Sequence, residues 1–384
     1  MRKAIYAFSG DPITKGHIDI IKRAAACFDE VIVGIGSNPD KKYMFTLEER
    51  TEMARRSLKK VLNVKVMAFS GLLVDYAYEQ NVATIVKGVR DITDFGYENI
   101  LHQAGGSQKL GIDTFVLFAK PELAHVSSGV VKSIQKEHGL IHEYVTFYVK
   151  QNLELAISGQ FIIGITGEIG AGKSFISELM VSTAKKMRVM CHNIDTDIIG
   201  KQILEELKEP VYFQIREQLS VRFGNKIRLK NGMINRKILG QIIFANSKDL
   251  QDFNRIMQNP ILVRLKRELS GRKGIVILNG ALFAESGMLH LCNNNIILVS
   301  CHKKIQQERL MKRGLDRYQV SHRIKSQYSF DQKKQIVKDS ITAEMNGKLW
   351  IVDSSWPVGK GKIEGIIEYA KKLLKRSNGM SYRE

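Results

Sequence analysis

A glycine-rich segment at residues 167–174 has the spacing of a phosphate-binding loop. It reads Gly-Glu-Ile-Gly-Ala-Gly-Lys-Ser, follows a strand-like apolar run and precedes a helical one, which is the context that such a loop requires. Its glycines let backbone N–H groups converge on a phosphate, while the lysine reaches the outer phosphates of a nucleoside triphosphate and the serine binds Mg²⁺. We therefore predict a nucleotide site at Gly170, Ala171, Gly172, Lys173, Ser174 and Phe175, with Ser174 as the Mg²⁺ ligand.

An aspartate follows the next predicted strand, at residue 195. Parallel α/β sheets bind their ligands at the carboxyl ends of the strands, and the run from Cys191 to Asp197 places Asp195 at such an end. A carboxylate there can orient an acceptor hydroxyl and take its proton during phosphoryl transfer. A solvated loop aspartate is the alternative, so the pattern alone leaves the role of Asp195 open.

Three strand ends in the first half of the chain carry groups that suit a polyphosphate. The run from Ser9 to His17 joins the first predicted strand to a helix, and His17 at the helix N-terminus can bind a phosphate attracted by the free N–H groups. Residues 38–42 end the second strand and residues 87–90 end the fourth. Each has a simpler alternative, a helix cap for His17 and solvated loops for the basic residues, but all three meet at one rim of the predicted sheet.

The elements that position these residues alternate between short strands and helices. In the first half, strands are predicted at 4–8, 31–35, 64–69, 84–86 and 114–118, and the capping box from Thr46 to Glu49 marks a helix start. In the second half, strands near 161–166, 275–278 and 296–299 accompany a long helical and basic insertion at about 200–270. Strands separated by helices pair in parallel with right-handed crossovers. We predict the α/β class, with two doubly wound parallel-sheet domains at 1–157 and 160–376 and a boundary near Ser158.

Residues 161 to about 375 resemble dephospho-CoA kinase. The resemblance rests on the phosphate-binding loop, on Asp195-Thr196-Asp197, on Phe223-Gly224, and on the basic helix at 306–313. It implies a P-loop kinase domain with a helical insertion that binds ATP and Mg²⁺. In such a domain Asp195 would be the catalytic base, and Arg309 and Arg313 would close over the ATP phosphates. A solvated helix face is the alternative for these two arginines.

Residues 1 to about 155 look like a bacterial-type phosphopantetheine adenylyltransferase, a Rossmann-like nucleotidyltransferase. The match covers residues 9–17, 41–42, 44–50, 88–90, 94–95, 97–98 and 126–128. It implies that His17 and Lys41 are catalytic, together with Mg²⁺, and that Ser9, Lys41, Leu73 and Lys87 bind phosphopantetheine. The ATP-binding residues that it implies are Ser9, Gly10, His17, Gly88, Val89, Arg90, Glu98, Leu123, Ala124, His125, Val126, Ser127, Ser128 and Gly129.

The sequence departs from the two family patterns at positions near these sites. The kinase family usually has aspartate where Asn279 begins the run to Glu285. The adenylyltransferase family usually has arginine where Lys87 stands and a serine or threonine where Gly129 stands. Lysine cannot form the bidentate hydrogen bonds that arginine makes with a phosphate. One alternative is therefore that one half is degenerate and serves as a binding or regulatory module.

The two resemblances imply consecutive reactions of coenzyme A biosynthesis. The first product, dephospho-CoA, is the acceptor of the second enzyme, so the implied protein is a bifunctional transferase with ATP, 4′-phosphopantetheine and dephospho-CoA as small-molecule substrates. Other acceptors for the same two folds, or a nucleic-acid-binding protein, are the remaining alternatives.

Composition and charge agree with small anionic substrates. The 384-residue chain has a net charge of +20 and no apolar run long enough to cross a bilayer. Its N-terminus lacks a signal-peptide pattern, so we expect a cytoplasmic location and no membrane partner. The basic residues form no stripe interleaved with aromatics, so we expect no nucleic acid partner. The sequence leaves the oligomeric state open, including a homo-oligomer formed through the first domain.

Overall fold

The computed structural model describes residues 1–38, 41–281 and 283–378. Pro39 and Asp40 at the second strand end, and Leu282 in the run that begins at Asn279, lie outside the described residues. The chain divides into two compact units, one that ends at Leu153 and one that begins at Glu154.

The first unit is built on a five-stranded parallel sheet with the order β3-β2-β1-β4-β5. All five predicted strands are present. The strands are β1 (Lys3–Phe8), β2 (Glu30–Ile35), β3 (Val64–Ala68), β4 (Thr84–Val89) and β5 (Asp113–Phe118). The helices are α1 (Lys15–Cys27), α2 (Leu47–Leu58), α3 (Leu73–Glu79), α4 (Ile92–Gly106), α5 (Ser128–Lys136) and α6 (Phe147–Leu153).

Local sequence signals account for these elements. Every residue of β2 is buried, as expected for an inner parallel strand that is covered on both faces. Helix α2 begins at the predicted capping box, because Thr46 Oγ1 accepts from the N–H of Glu49 at 3.3 Å and Glu49 Oε2 accepts from the N–H of Thr46 at 2.9 Å. The predicted helix start is confirmed.

The second unit is built on another five-stranded parallel sheet, with the order β10-β9-β6-β8-β7. The strands are β6 (Gln160–Gly167), β7 (Cys191–Asp195), β8 (Gly274–Asn279), β9 (Asn295–Ser300) and β10 (Lys348–Asp353). The helices are α7 (Lys173–Lys186), α8 (Thr196–Glu205), α9 (Pro210–Phe223), α10 (Arg236–Ile243), α11 (Ser247–Leu269), α12 (Lys303–Lys312), α13 (Arg317–Lys325), α14 (Phe330–Glu344) and α15 (Lys360–Asn378).

The core of the second unit surrounds its central strand. Strand β6 is buried along its whole length, and its side chains pack with apolar residues of α7 and α15 such as Ile176 and Ile366. Helices α8 to α11 form the predicted insertion, whereas the edge strand β10 is an element that the sequence analysis does not predict. No helix in the described part of the chain is long and apolar enough to span a bilayer.

The strand orders determine where ligands can bind in each unit. Strand β1 lies between β2 and β4, and strand β6 lies between β8 and β9. In each sheet, the strands that follow the central strand in the chain are therefore added first on one side of it and then on the other. Such a reversal opens a crevice at the carboxyl ends of the strands. The β1–α1 and β6–α7 loops both begin at those ends, so the fold confirms two doubly wound sheets and puts both predicted loops at ligand-binding edges.

Candidate active sites

The β1–α1 loop of the first unit holds His17 in one tautomer. His17 Nδ1 lies 3.0 Å from the backbone N of Thr14 and 2.8 Å from Thr14 Oγ1. Because the backbone N–H can only donate, Nδ1 is the acceptor, and the proton of the neutral ring is on Nε2. The capping contact therefore leaves the Nε2–H of His17 as the donor that a ligand can use.

Burial and a neighbouring charge keep His17 neutral. Its ring stacks on Phe8 with 4.4 Å between the ring centroids. Burial, followed by the positive charge of Arg90, lowers the pKa of His17 from 6.5 to about 4. At neutral pH the side chain is therefore a hydrogen-bond donor and not a cation.

Two ion pairs organise the basic residues at the end of β4. Lys87 Nζ lies 2.8 Å from Glu98 Oε2. Arg90 grips both carboxylate oxygens of Asp94, with distances of 2.6 Å from Nε to Oδ2 and 2.9 Å from Nη2 to Oδ1. Lys87 and Glu98, which the family resemblance assigned to different ligands, therefore lie together.

Arg50 on α2 is a buried cation that the sequence analysis did not assign to the site. Its guanidinium donates to the backbone O of Ser9 at 2.5 Å, to the O of Gly36 at 2.7 Å and to Ser37 Oγ at 2.6 Å. These acceptors follow β1 and β2, so Arg50 ties two neighbouring strand ends together beneath the site.

Asp11 connects the β1–α1 loop to two further helices. Its Oδ1 accepts from the N–H of Phe45 at 3.0 Å, and its Oδ2 accepts from the N–H of Met44 at 3.1 Å and from Lys132 Nζ at 2.8 Å. The Asp11 side chain is buried. This carboxylate thus holds the loop against the segment before α2 and against α5.

The segment from Leu123 to Gly129 adjoins the same loop. Ser128 Oγ donates to the O of Pro12 at 2.8 Å, and Ser127 Oγ caps α5 by accepting from the N–H of Val130 at 3.2 Å. The remaining predicted ATP-binding residues lie in the β1–α1 loop, at the end of β4 or in this segment: Gly10, Gly88, Val89, Ala124, His125 and Val126.

Lys41 and Leu73 lie apart from these contacts. Lys41 follows β2 and is exposed, and its N–H donates to the O of Asn38 at 3.1 Å. Leu73 begins α3 and packs against an apolar cluster of the sheet. No contact recorded among the described residues joins either side chain to His17, so their binding of phosphopantetheine stays a prediction.

In the second unit, the β6–α7 loop has the backbone of a phosphate-binding loop. Gly170 and Gly172 have φ angles of 77° and 90°, in the left-handed region that favours glycine. A Cβ would lie 3.0 Å from Leu310 Cγ at the first position and 2.8 Å from Ser354 Oγ at the second. Conformation and close packing both require glycine, and the loop leads directly into α7, whose first N–H groups suit an anion.

Lys173 folds back along its own loop. Its Nζ donates to the O of Gly167 at 3.2 Å and to the O of Glu168 at 3.1 Å. Burial lowers the pKa of Lys173 to about 8, and the negative charge of Asp197 partly opposes this effect. A phosphate at the loop would offer this ammonium a charged partner in place of the two carbonyls.

Two aspartates line the cavity in front of the loop. Asp195 ends β7 and caps α8, because its Oδ1 accepts from the N–H of Asp197 at 2.8 Å and from the N–H of Ile198 at 3.2 Å. Burial raises the pKa of Asp197, and the charge of Asp195 adds to the effect. The sequence predicts a role for Asp195, and the structure adds Asp197 to the site.

This cavity has a volume of about 990 Å³, near the upper end of the range for small-molecule sites. Its polar end includes Lys173, Ser174 and Arg313 beside the two aspartates. Its apolar wall comes from the helical insertion and includes Leu239, Ile243, Phe244, Phe253 and Met257.

The two arginines predicted over the ATP phosphates occupy different places. Arg313 is exposed and lines the cavity. Arg309 instead donates from Nη1 to Ser354 Oγ at 2.9 Å and from Nη2 to Ser354 O at 2.7 Å, and Ser354 Oγ donates to the O of Ala171 at 2.5 Å. Arg309 therefore supports the phosphate-binding loop through Ser354. Phe175 is exposed on the first turn of α7.

Comparison with known proteins assigns both units. A cytidylyltransferase-like family model matches residues 9–134, and a dephospho-CoA kinase model matches residues 161–348. The phosphopantetheine adenylyltransferase of Clostridium kluyveri is 45% identical over 145 residues, which are 38% of this chain and 88% of that protein. The chain belongs to the phosphopantetheine adenylyltransferase family.

Two further phosphopantetheine adenylyltransferases show the same extent of similarity. The protein of Dictyoglomus thermophilum is 45% identical over 40% of this chain and 93% of its own. That of Caldanaerobacter subterraneus subsp. tengcongensis is 40% identical over 40% of this chain and 96% of its own. These relatives correspond to the adenylyltransferase domain, and the second unit is a dephospho-CoA kinase domain.

Some site residues were not predicted, and they differ in whether the local sequence could have indicated them. In the kinase domain, Asp197 belongs to the same Asp-Thr-Asp motif as Asp195, so the motif itself pointed to it. In the adenylyltransferase domain, Arg50 lies four residues after the capping threonine, which places it on the first turns of α2 but not towards the site. Asp11 and Ser354 offered no local pattern, because their partners are distant in the chain.

Proposed function

We propose that this chain carries out the last two steps of coenzyme A biosynthesis. The adenylyltransferase domain transfers AMP from ATP to 4′-phosphopantetheine, which gives dephospho-CoA and pyrophosphate. The kinase domain transfers the γ-phosphoryl group of a second ATP to the ribose 3′-hydroxyl of dephospho-CoA, which gives CoA and ADP. The observation that carries the proposal is the presence in one chain of both family matches, each on its own sheet with a phosphate-binding edge.

In the first reaction, an oxygen of the phosphopantetheine phosphate attacks the α-phosphorus of ATP. A new P–O bond forms, the bond from the α-phosphorus to the bridging oxygen breaks, and pyrophosphate leaves with the bonding electrons. His17 donates its Nε2–H to the α-phosphate, while Thr14 occupies Nδ1. Lys41, Lys87 and Arg90 neutralise phosphate charge, so catalysis consists of placement and electrostatic stabilisation.

In the second reaction, the ribose 3′-oxygen attacks the γ-phosphorus of ATP. The bond to the β–γ bridging oxygen breaks, ADP leaves, and Asp195 takes the hydroxyl proton. The N–H groups of the phosphate-binding loop and Lys173 hold the outer phosphates, and Arg313 adds positive charge from the cavity wall.

Ser174 suits the role of Mg²⁺ ligand in the kinase domain. Its side chain lines the cavity beside Lys173, and Mg²⁺ in ATP sites takes few protein oxygens, several waters and the phosphates. Within the described residues, no group of three or more His, Cys, Asp or Glu side chains is placed to hold a metal ion by itself, which suits an ion that enters with ATP. Bound there, Mg²⁺ would neutralise charge on the phosphates.

A product analysis tests the proposal directly. The purified chain is incubated with 4′-phosphopantetheine, ATP and Mg²⁺, and dephospho-CoA, CoA, pyrophosphate and ADP are separated by chromatography. We expect CoA together with pyrophosphate and ADP. Asp195→Asn should stop the sequence at dephospho-CoA, whereas His17→Ala should form CoA only when dephospho-CoA is supplied. If the unsubstituted chain forms neither coenzyme product, the proposal is refuted, and one inactive half would favour a binding or regulatory module there.

We also propose that the adenylyltransferase domain self-associates. In the described part of the chain, no residue of α4 is buried. Two of its large apolar residues, Ile92 and Ile100, are 88% and 64% exposed. On the edge strand β5, Phe118 is 70% exposed, and exposed apolar surface of this kind marks protein contacts. Light scattering should give a mass above the 43.5 kDa chain, and Ile100→Lys should reduce it. A monomeric unsubstituted chain would contradict this.

Both reactions use ATP, so a cytoplasmic location is part of the same proposal. The substrates are small anions, and neither nucleic acid nor a membrane enters the reactions.

A further inference from the structure

The position where this chain departs from the kinase family pattern lies against the proposed base. Asn279 ends β8 and is paired in register with Asp195 at the end of β7. Its side chain is 2% exposed, and its Nδ2 lies 3.2 Å from Asp195 Oδ2. The departure is therefore part of the phosphoryl-transfer site and not of its surroundings.

Chemistry fixes the orientation of this side chain. An ionised carboxylate only accepts hydrogen bonds, so the Asn279 amide must present its NH₂ group and not its oxygen to Asp195. The backbone of Asn279 is itself held, because Thr196 Oγ1 donates to its O at 3.0 Å. The donor is thus mounted on a strand end that cannot easily shift.

The hydrogen bonds to Asp195 are divided between its two carboxylate oxygens. The N–H groups of Asp197 and Ile198 both bind Oδ1, whereas Asn279 is the side chain that binds Oδ2. A carboxylate oxygen has two acceptor sites, so with Asn279 as its partner among the described residues Oδ2 keeps one site for a substrate proton. Without the Asn279 amide, rotation about the carboxylate would not be restrained on that side.

We propose that Asn279 is a positioning residue for the kinase reaction, one that orients Oδ2 of Asp195 towards the acceptor hydroxyl. An aspartate at this position would put a second carboxylate in the place of the donor. Two carboxylates at that separation retain a shared proton to higher pH. The inference rests on the proposed kinase function, and it implies that asparagine extends kinase activity to lower pH than aspartate would.

Other charged groups lie around Asp195, and a test must hold them constant. Lys173 on α7 and Asp197 on α8 interact with Asp195 directly. The others act on those two residues or line the same cavity, and they are Arg236 on α10, Arg313 after α12, Lys333 on α14 and Glu285 after β8. None of them changes in an Asn279 variant, so a difference in the pH profile reports the replaced amide.

The experiment compares Asn279→Asp, Asn279→Ala and Asn254→Asp with the unsubstituted full chain. Asn254 lines the same cavity from α11, so its aspartate variant is a matched control for added negative charge. Dephospho-CoA is supplied directly, and ADP release is followed between about pH 5 and about pH 9 to obtain kcat/KM. The KM for ATP reports whether the phosphate-binding loop is intact.

For Asn279→Asp we expect the acid limb of the profile to move up by about one pH unit, a loss of about tenfold on the acid side that is regained at high pH. Asn279→Ala should lower kcat at every pH without moving the limb, and Asn254→Asp should leave the limb in place. Coincident profiles for Asn279→Asp and the unsubstituted chain, or an equal shift in Asn254→Asp, would overturn the inference alone. An unsubstituted chain that releases no ADP would overturn the proposed kinase function and the inference with it.

Discussion

Replacement of His17 by asparagine separates the two contacts that this side chain makes. The Nδ1 atom accepts from the N–H of Thr14 at 3.0 Å, and the Nε2–H is the proposed donor to the α-phosphate of ATP. An asparagine oxygen can replace Nδ1, but asparagine is too short to place a donor where Nε2 lies. The substitution therefore keeps the helix cap and removes the catalytic donor.

The expected magnitudes differ strongly for the two contacts. A donor that acts on charge developing in the transition state is worth about 10²–10³ in kcat, or about 3–4 kcal/mol. Because His17→Asn retains the cap, its free energy of unfolding should change by less than about 0.5 kcal/mol, whereas His17→Ala should lose about 1 kcal/mol. The alanine variant should thus lose both activity and stability, whereas the asparagine variant should lose activity and keep its stability.

The lowered pKa of His17 gives a second signature. The pKa is 6.5 in the unfolded chain and about 4 in the folded one, so the unfolded chain takes up the proton first as the pH falls. The contribution of His17 to the free energy of unfolding is complete above pH 6.5 and decreases towards pH 4. Because the ring is partly exposed, this loss should be at most about 3 kcal/mol. His17→Asn, which does not titrate, should lack this component of acid sensitivity.

The assay is pyrophosphate release with 4′-phosphopantetheine and ATP, combined with urea unfolding at neutral and acidic pH. Kinase activity on supplied dephospho-CoA serves as the internal control. An unchanged kcat in His17→Asn would refute the role of Nε2, and a loss of stability as large as that of His17→Ala would refute the assignment of Nδ1 as the cap.

Three further predictions concern single residues. The kinase kcat/KM for ATP should fall above about pH 8, because the Lys173 ammonium, with a pKa of about 8, loses its charge in the free enzyme; a profile that stays flat to about pH 10 would contradict this. Gly129→Ser should raise the free energy of unfolding by about 0.5 kcal/mol, since it replaces a helix glycine and its Cβ meets only a hydroxyl 3.9 Å away; a lower value in urea would show strain in α5. Gly88→Ala should slow adenylyl transfer and destabilise the domain by about 1–3 kcal/mol, because its Cβ would lie 2.9 Å from Cγ1 of Ile20. Gly96→Ala, where a Cβ has open space, is the control, and equal losses would exclude packing against α1 as the cause.

The two phosphate-binding edges could be predicted because their signals are short and local. The phosphate-binding loop is one continuous run from Gly167 to Ser174, and the strand ends were located from apolar runs that the sheets confirm. The α2 start depended on Thr46 and Glu49, which are three positions apart. In each case the chemical group and the structure that places it are encoded within one turn or one strand.

The side chains that support these edges could not be predicted in the same way. Arg50 reaches an acceptor 41 positions away at Ser9, and Ser354 reaches across 183 positions to Ala171. The contact between Asn279 and Asp195 spans 84 positions. Periodicity and motif spacing carry no information at such separations, so these contacts follow only from the completed sheet order.

Strand β10 shows a different limit. Its run from Lys348 to Asp353 is apolar in the middle and strand-like in length, so a signal was present. Short apolar runs do not distinguish a strand from a buried helical turn, and this one has no phosphate-binding motif beside it to settle the choice.

The edge position of β10 also has a practical consequence for dissecting the chain. The kinase family match ends at residue 348, where β10 begins. A fragment cut at that boundary would lack Ser354, so Arg309 would lose both acceptors on that residue and the carbonyl of Ala171 would lose the Ser354 hydroxyl as a donor. It would also expose the flank of β9 and the apolar core surface that α15 covers. The smallest kinase fragment with an intact nucleotide loop therefore has to extend through α15, and inactivity of a shorter one would say nothing about the chemistry of the enzyme.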